Sequence, residues 1–277
     1  MRDMYDDGLQ ARSEIRRLLR DHDHQPRKGY GQNFLVDPNI VDRMVRAAEI
    51  TQDTQVLEIG AGTGAVTVAL AAVAGRVVSY EVDHALEPVL DEVLAVTDNV
   101  EVRFGDASRI DFNRALDGGP WTMVSNLPYN VGTGIVLDIL QGAPNIERLV
   151  VMVQREVADR FLAEPGAKTY GIPSVIVGLH GTAHLAFGVP PQVFEPAPRV
   201  DSAVVVIDRK PAPAAAERAV EIASAAFGQR RKMLRRSLAG TVADESVLVA
   251  AGIDPTTRPE TLFPEQFVVI ANAEVGP

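Results

Sequence analysis

Cysteine is absent from all 277 residues, which excludes disulfides, thiolate catalysis and cysteine-ligated zinc or iron–sulfur sites but says little about compartment. Long apolar runs are missing too, so no membrane anchor is expected. The first twenty residues are dense in Arg, Asp and Glu. They lack the apolar core and small-residue cleavage site of a secretory signal, and the expectation is a cytoplasmic protein. An excess of positive charge is also lacking: 27 Lys and Arg stand against 37 Asp and Glu, a formal net charge of −10. That balance counts against a polyanion partner. The basic residues are nevertheless clustered, between Arg12 and Arg20, at Arg27-Lys28, and at Arg230-Arg231-Lys232 with Arg235-Arg236, so a basic strip on an acidic protein remains open. With 46% hydrophobic and 23% charged residues, the chain has the composition of an ordinary globular protein, long enough for one large domain and a small one.

Patterning divides the chain into four parts. Residues 1–26 read as an N-terminal extension with a short basic helix, in which Ser13, Ile15, Leu18 and Leu19 are suitably spaced; a solvated helix fits it as well as an RNA contact. Residues 27–208 read as a catalytic α/β domain. It opens on the glycine-flanked loop Gly29-Tyr30-Gly31-Gln32-Asn33-Phe34-Leu35 and a helix with Asp37 as N-cap and Pro38 in its first turn. Strands follow at residues 55–59, 76–80, 100–104, 121–125, 149–153, about 182–187 and 200–207. The Pro-rich stretch 189–198 is too irregular for an element. Residues 209–216 read as a linker, and residues 217–277 as a small helical domain whose first helix runs to Leu238.

Three strand ends carry chemistry. After the first of them, Gly60-Ala61-Gly62-Thr63-Gly64 lets the backbone approach a ligand, and the following helix offers free N–H groups. Glu81, 21 positions after Gly60, can take both ribose hydroxyls of a nucleoside. Asp106, after the strand at 100–104, can accept from the amino group of an adenine. The Gly-x-Gly-x-Gly spacing departs from the pyrophosphate-binding Gly-x-Gly-x-x-Gly, and no well-placed His offers hydride chemistry. Architecture alone still does not separate nicotinamide dinucleotides from S-adenosylmethionine. His180 and His184 have strand-like neighbours and are more often core or surface residues than ligands.

A fourth strand end, at 121–125, leads into Asn126-Leu127-Pro128-Tyr129. Pro128 keeps the backbone from winding straight into a helix. The Asn126 side-chain carbonyl and a backbone carbonyl of Leu127 or Pro128 could then accept the hydrogens of an exocyclic amine, with Tyr129 against the face of the ring that carries it, a contact worth about 1–3 kcal/mol per base. Phe194 could cover the second face of such a base or act as a hydrophobic plug.

These motifs together make the sequence resemble the ribosomal RNA adenine N6-dimethyltransferases, specifically the bacterial enzymes that modify two adjacent adenosines near the 3′ end of small-subunit (16S) rRNA. The resemblance runs from about residue 27 onward. It rests on Gly31-Gln32-Asn33-Phe34-Leu35, Glu58-Ile59-Gly60-x-Gly62-x-Gly64, Asn126-Leu127-Pro128-Tyr129-Asn130, Gln154-x-Glu156-Val157, Tyr170-Gly171, Pro196-x-Pro198-x-Val200-Asp201-Ser202-Ala203-Val204 and Phe227-x-x-Arg230-Arg231-Lys232-x-Leu234-Arg235. It implies a class I methyltransferase fold with seven strands, the last antiparallel, followed by a small helical domain. S-adenosylmethionine would be the methyl donor, with no metal. By the resemblance Asn33 and Leu35 contact the donor, Gly60 and Gly62 of the glycine loop lie at its amino-acid part, Glu81 holds its ribose and Asp106 its adenine, and Asn126 sits between donor and target. Arg230, Arg231, Lys232 and Arg235 are candidate rRNA contacts, with Phe194 a candidate base contact. The implied partner is 16S rRNA in an immature small subunit, and the implied state a monomer. Two readings compete: methylation of 23S rRNA, and an assembly factor in which binding outweighs catalysis. The acidic charge sets the chain apart from typically basic relatives, and Tyr30 stands where they more often have Phe or Leu.

Overall fold

The computed structural model describes residues 11–275. Helix α1 (Arg12–Asp21) buries Ile15, Leu18 and Leu19, an i, i+3, i+4 stripe, against Phe34, Val36, Ala61, Leu86, Val89 and Leu90. Strand β1 (Phe34–Leu35) is followed by α2 (Pro38–Ala48), capped by the Asp37 carboxylate accepting from Asn39 N at 2.9 Å. Then β2 (Gln55–Ile59), α3 (Ala65–Ala71), β3 (Arg76–Glu81), α4 (Glu87–Leu94), β4 (Val100–Phe104), α5 (Phe112–Ala115), β5 (Trp121–Asn126), α6 (Gly132–Gly142) and β6 (Ile146–Gln154) alternate. The chain continues through α7 (Arg155–Phe161), α8 (Ile172–His180), β7 (Gly181–Val189), β8 (Phe194–Glu195) and β9 (Ser202–Arg209) into α9 (Ala216–Gly228), α10 (Leu234–Ser237), α11 (Glu245–Ala250) and α12 (Pro264–Val275).

Seven strands form one sheet in the order β4-β3-β2-β5-β6-β9-β7. The pairs from β4 to β6 are parallel, and β9, the last strand in sequence, runs antiparallel to β6 from Arg148↔Asp208 to Gln154↔Ser202. This is the class I methyltransferase arrangement. The runs Leu149–Val153 and Ala203–Ile207 are buried throughout, as strands covered on both faces require; each such Val or Leu stabilises the fold by about 1.5–3 kcal/mol. No helix among the described residues is long and apolar enough to cross a membrane.

The chain forms two compact units. The first holds the described residues up to Ala158 together with His184–Asp208, and the second Asp159–Ala183 and the chain from Arg209. The helical unit thus begins before residue 217 and is discontinuous, because Tyr170, Val175 and Leu179 share a core with Ala219, Ile222, Ala223 and Phe267. The Tyr170 hydroxyl donates to Leu262 O at 2.7 Å inside that core.

Two local expectations are corrected. The stretch 189–198 is not wholly irregular: a single turn at Pro191–Val193 leads into β8, which pairs antiparallel with β1 through Phe34↔Glu195 and Leu35↔Phe194. The helix expected to reach Leu238 stops at Gly228 and resumes as α10. Arg230 is drawn inward to the carbonyls of Tyr170 and Ala167, while Leu234 N and Arg235 N donate to Thr257 O and Pro255 O instead of to α9.

Candidate active site

Parallel strands place their carboxyl ends on one edge of a sheet, where open α/β folds bind ligands. In the first unit the ends of β2, β3, β4 and β5 surround one cavity of about 250 Å³, lined by Gly60, Gly62, Glu81, Asp106, Asn126, Leu127, Pro128 and Tyr129. Asn33 and Leu35 line it from the N-terminal loop. Ten residues singled out in the sequence are therefore brought together.

The glycine turn is left-handed at Gly60 (φ 87°), Gly62 (56°) and Gly64 (81°). A Cβ on Gly60 would lie 3.5 Å from Asn126 O and 3.6 Å from Pro128 Cδ, and one on Gly62 would lie 3.2 Å from the Phe34 ring. Both glycines keep the floor of the cavity open. Gly62 N donates to Glu81 Oε2 at 2.8 Å, while Val82 N and Asp83 N donate to Oε1, each at 2.9 Å. Burial pushes the Glu81 carboxyl above the usual carboxylate range, and these three backbone donors pull the other way. The result is a fixed, nearly dry acceptor. Asp106 is exposed; its Oδ1 accepts from Ser108 N and Oγ, at 3.0 and 2.6 Å, and these bonds lower its pKa.

At the end of β5 the Asn126 amide donates from Nδ2 to Asn33 O at 3.3 Å, which leaves Oδ1 as its acceptor end. Leu127 N donates to Met152 O, and the Leu127 side chain is buried. Pro128 O already accepts from Val131 N and Gly132 N, at 3.3 and 2.8 Å, as the start of α6. Of the two carbonyls considered from the sequence, Pro128 O is therefore already committed to the backbone of α6. The Tyr129 hydroxyl lies 2.5 Å from Ser202 Oγ, which anchors the partly buried ring, and burial raises the phenol pKa.

The remaining expectations separate. Phe194 is fully buried in the core with Leu35, Ile40 and Val204 and does not line the cavity, so its pairing with β1 makes it a plug rather than a base contact. Arg230 is a half-buried brace: it pairs with Glu260 at 2.9 Å and donates to Tyr170 O and Ala167 O. Arg231, Lys232 and Arg235 are exposed in the second unit. Sequence reading missed Asp83, a buried carboxylate two residues past Glu81. Its signal was an Asp placed to cap the turn His84–Leu86.

The family model described as ribosomal RNA adenine dimethylase matches residues 23–274. The ribosomal RNA small subunit methyltransferase A of Acidothermus cellulolyticus is 41% identical over 273 residues, covering 94% of this chain and 93% of that protein. The corresponding protein of Kineococcus radiotolerans is 43% identical, covering 97% and 93%. Among solved structures, the 23S rRNA methyltransferase ErmE superposes with a TM-score of 0.67 at 28% identity, covering 88% of this chain and all of that one. A dimethyladenosine transferase from Plasmodium falciparum shares the fold, with a TM-score of 0.74 at 23% identity over 86% of this chain and 95% of that one. With its family matched over nearly the whole length, the chain belongs to the ribosomal RNA adenine dimethylases and is an rRNA adenine dimethyltransferase.

Proposed function

We propose that this enzyme transfers methyl groups from S-adenosylmethionine to the N6 atoms of two adjacent adenosines near the 3′ end of 16S rRNA, in an immature small subunit. Identity above 40% to small-subunit methyltransferases, against 28% to a large-subunit enzyme, favours that substrate. The observation that carries the chemistry is the junction of Asn126 with the glycine turn and the Asn33 loop, where an amide acceptor and a backbone carbonyl meet a cavity suited to a nucleoside. S-adenosylmethionine supplies an electrophilic sulfonium methyl group: as the N–C bond forms the methyl–sulfur bond breaks, S-adenosylhomocysteine leaves with that electron pair, and the amine's surplus proton passes to solvent.

The protein's part is positioning. Glu81 takes ribose hydroxyls, Asp106 faces the adenine through the carboxylate oxygen not used by Ser108, and Gly60 and Gly62 admit the amino-acid end. An adenine amine is a weak nucleophile because its lone pair is conjugated with the ring. Asn126 Oδ1 and Leu127 O accept its two hydrogens, which favours a pyramidal nitrogen with the lone pair directed at the methyl group. Tyr129, held by Ser202, stacks on the extruded base. After the first transfer one hydrogen remains, and one of the two acceptors suffices for the second. Exposed Arg231, Lys232 and Arg235 supply phosphate contacts.

The test is Asn126→Ala. Methyl transfer should fall by roughly 10²–10³, the loss typical of removing one fixed polar group from a transition state, while donor affinity measured by calorimetry stays within a few fold. Undiminished turnover would reject the assigned role of the amide.

A further inference from the structure

The wall of the cavity contributed by residues 30–33 is anchored at a second point, away from the reacting atoms. Asp83 is 1% exposed. Its Oδ1 accepts from Arg27 Nη1 at 2.8 Å and from Ala85 N at 3.1 Å, and its Oδ2 from Gln32 Nε2 at 2.9 Å. Gln32 Oε1 in turn accepts from Arg27 N at 2.7 Å, so Asp83, Arg27 and Gln32 form a closed ring of hydrogen bonds. His24 Nε2 stands 3.8 Å from Oδ2, beyond hydrogen-bond reach. On its other side Asp83 donates from its backbone N to Glu81 Oε1 at 2.9 Å. A single buried carboxylate thus joins the end of β3, where Glu81 lies, to the loop of residues 27–33, part of which lines the same cavity.

We infer that Asp83 is a positioning residue for methyl-donor binding, holding residues 27–33 closed over the cavity; the inference rests on the reading of that cavity as the S-adenosylmethionine site. Exposed ion pairs contribute little, but a desolvated carboxylate that has lost its donors is costly, so this tether is one of the stronger links on the loop. Without it the loop spends less time closed. Apparent donor affinity falls by the fraction of closed state lost, whereas the rate at saturating donor changes little, because Asp83 touches no reacting atom.

Asp83→Asn separates this role from a merely local one. Asparagine caps a turn as well as aspartate does, so the bond to Ala85 N and the turn His84–Leu86 survive. The charge for Arg27 is lost, and an NH2 group opposes Gln32 Nε2. The expected result is a KM for S-adenosylmethionine at least about tenfold higher, with kcat within about twofold of wild type. The variant Arg27→Met, which cuts the tether from the more exposed side and does not line the cavity, should shift KM in the same direction with kcat kept, and Asp83→Asn combined with it should raise KM by less than the product of the two single shifts. It also serves if Asp83→Asn fails to fold. An unchanged KM, a fall in kcat alone, or additive effects of the two substitutions would overturn the inference. Wild-type protein that binds no S-adenosylmethionine would instead overturn the reading of the cavity itself.

Discussion

Glu58 ends one residue short of the glycine turn, and its carboxylate ties three elements together without lining the cavity. Its Oε2 accepts from Thr67 Oγ1 on α3 and Ser79 Oγ on β3, both at 2.6 Å, inside a fully buried site. Burial pushes its pKa from 4.5 up to about 7, against the two hydroxyl bonds. The folded protein therefore holds a proton that the unfolded chain releases. That stabilisation is complete below about pH 4.5 and is lost as the pH rises through 7, a swing on the order of 3 kcal/mol. Thermal melts from pH 5 to 8 should show wild type losing stability relative to Glu58→Gln, which keeps an acceptor but cannot ionise; parallel curves would contradict the assignment. At this scale the cavity was well marked in the sequence, because a strand end fixes where its last and next residues stand, and Glu81 and Asn126 close β3 and β5 while Asp106 follows β4. Phe194 and Arg230 were not legible. The direction of each side chain depends on partners far away in sequence, Leu35 for the first and Tyr170, Ala167 and Glu260 for the second.

Helix α6 begins shortly after the turn Asn126-Leu127-Pro128-Tyr129, with Pro128 O as its first acceptor. At its first residue, Gly132, a Cβ would lie 2.9 Å from Leu127 Cβ, an atom fixed to the backbone that cannot swing aside. Gly132→Ala should therefore shift Leu127 O. Overpacking of this kind costs typically about 1–3 kcal/mol, and kcat should drop at least tenfold while donor KM stays near wild type, as measured by steady-state methylation; an unchanged kcat would show that the turn does not depend on this packing. Apolar runs and glycine turns made the order of the seven main-sheet strands readable from 55 to 207, while α4, α5 and α6 between them were not singled out. Two-residue β1 and β8 carry no periodicity and exist only through their mutual pairing. The break after α9 was hidden because Ala223, Leu234 and Leu238 keep helical spacing across it, whereas the backbone bonds of Leu234 and Arg235 go to Thr257 and Pro255.

Over the whole molecule, the expected linear split at residues 209–216 differs from the division into compact units, since Asp159–Ala183 leaves the first unit's sequence to complete the second unit's core. No local pattern announces such a discontinuity. The formal charge of −10 coexists with a run of exposed Arg231, Lys232, Arg235 and Arg236, so the sum of charges is a poor guide to the charge of a local surface. The central claim is a reaction on a particular RNA. It is tested most directly by transfer from methyl-labelled S-adenosylmethionine to small subunits lacking dimethyladenosine, with large subunits in parallel and the product mapped. The account predicts two methyl groups on each of two adjacent adenosines near the 3′ end of the small-subunit rRNA. Label confined to large subunits, or none on either despite bound donor, would contradict it.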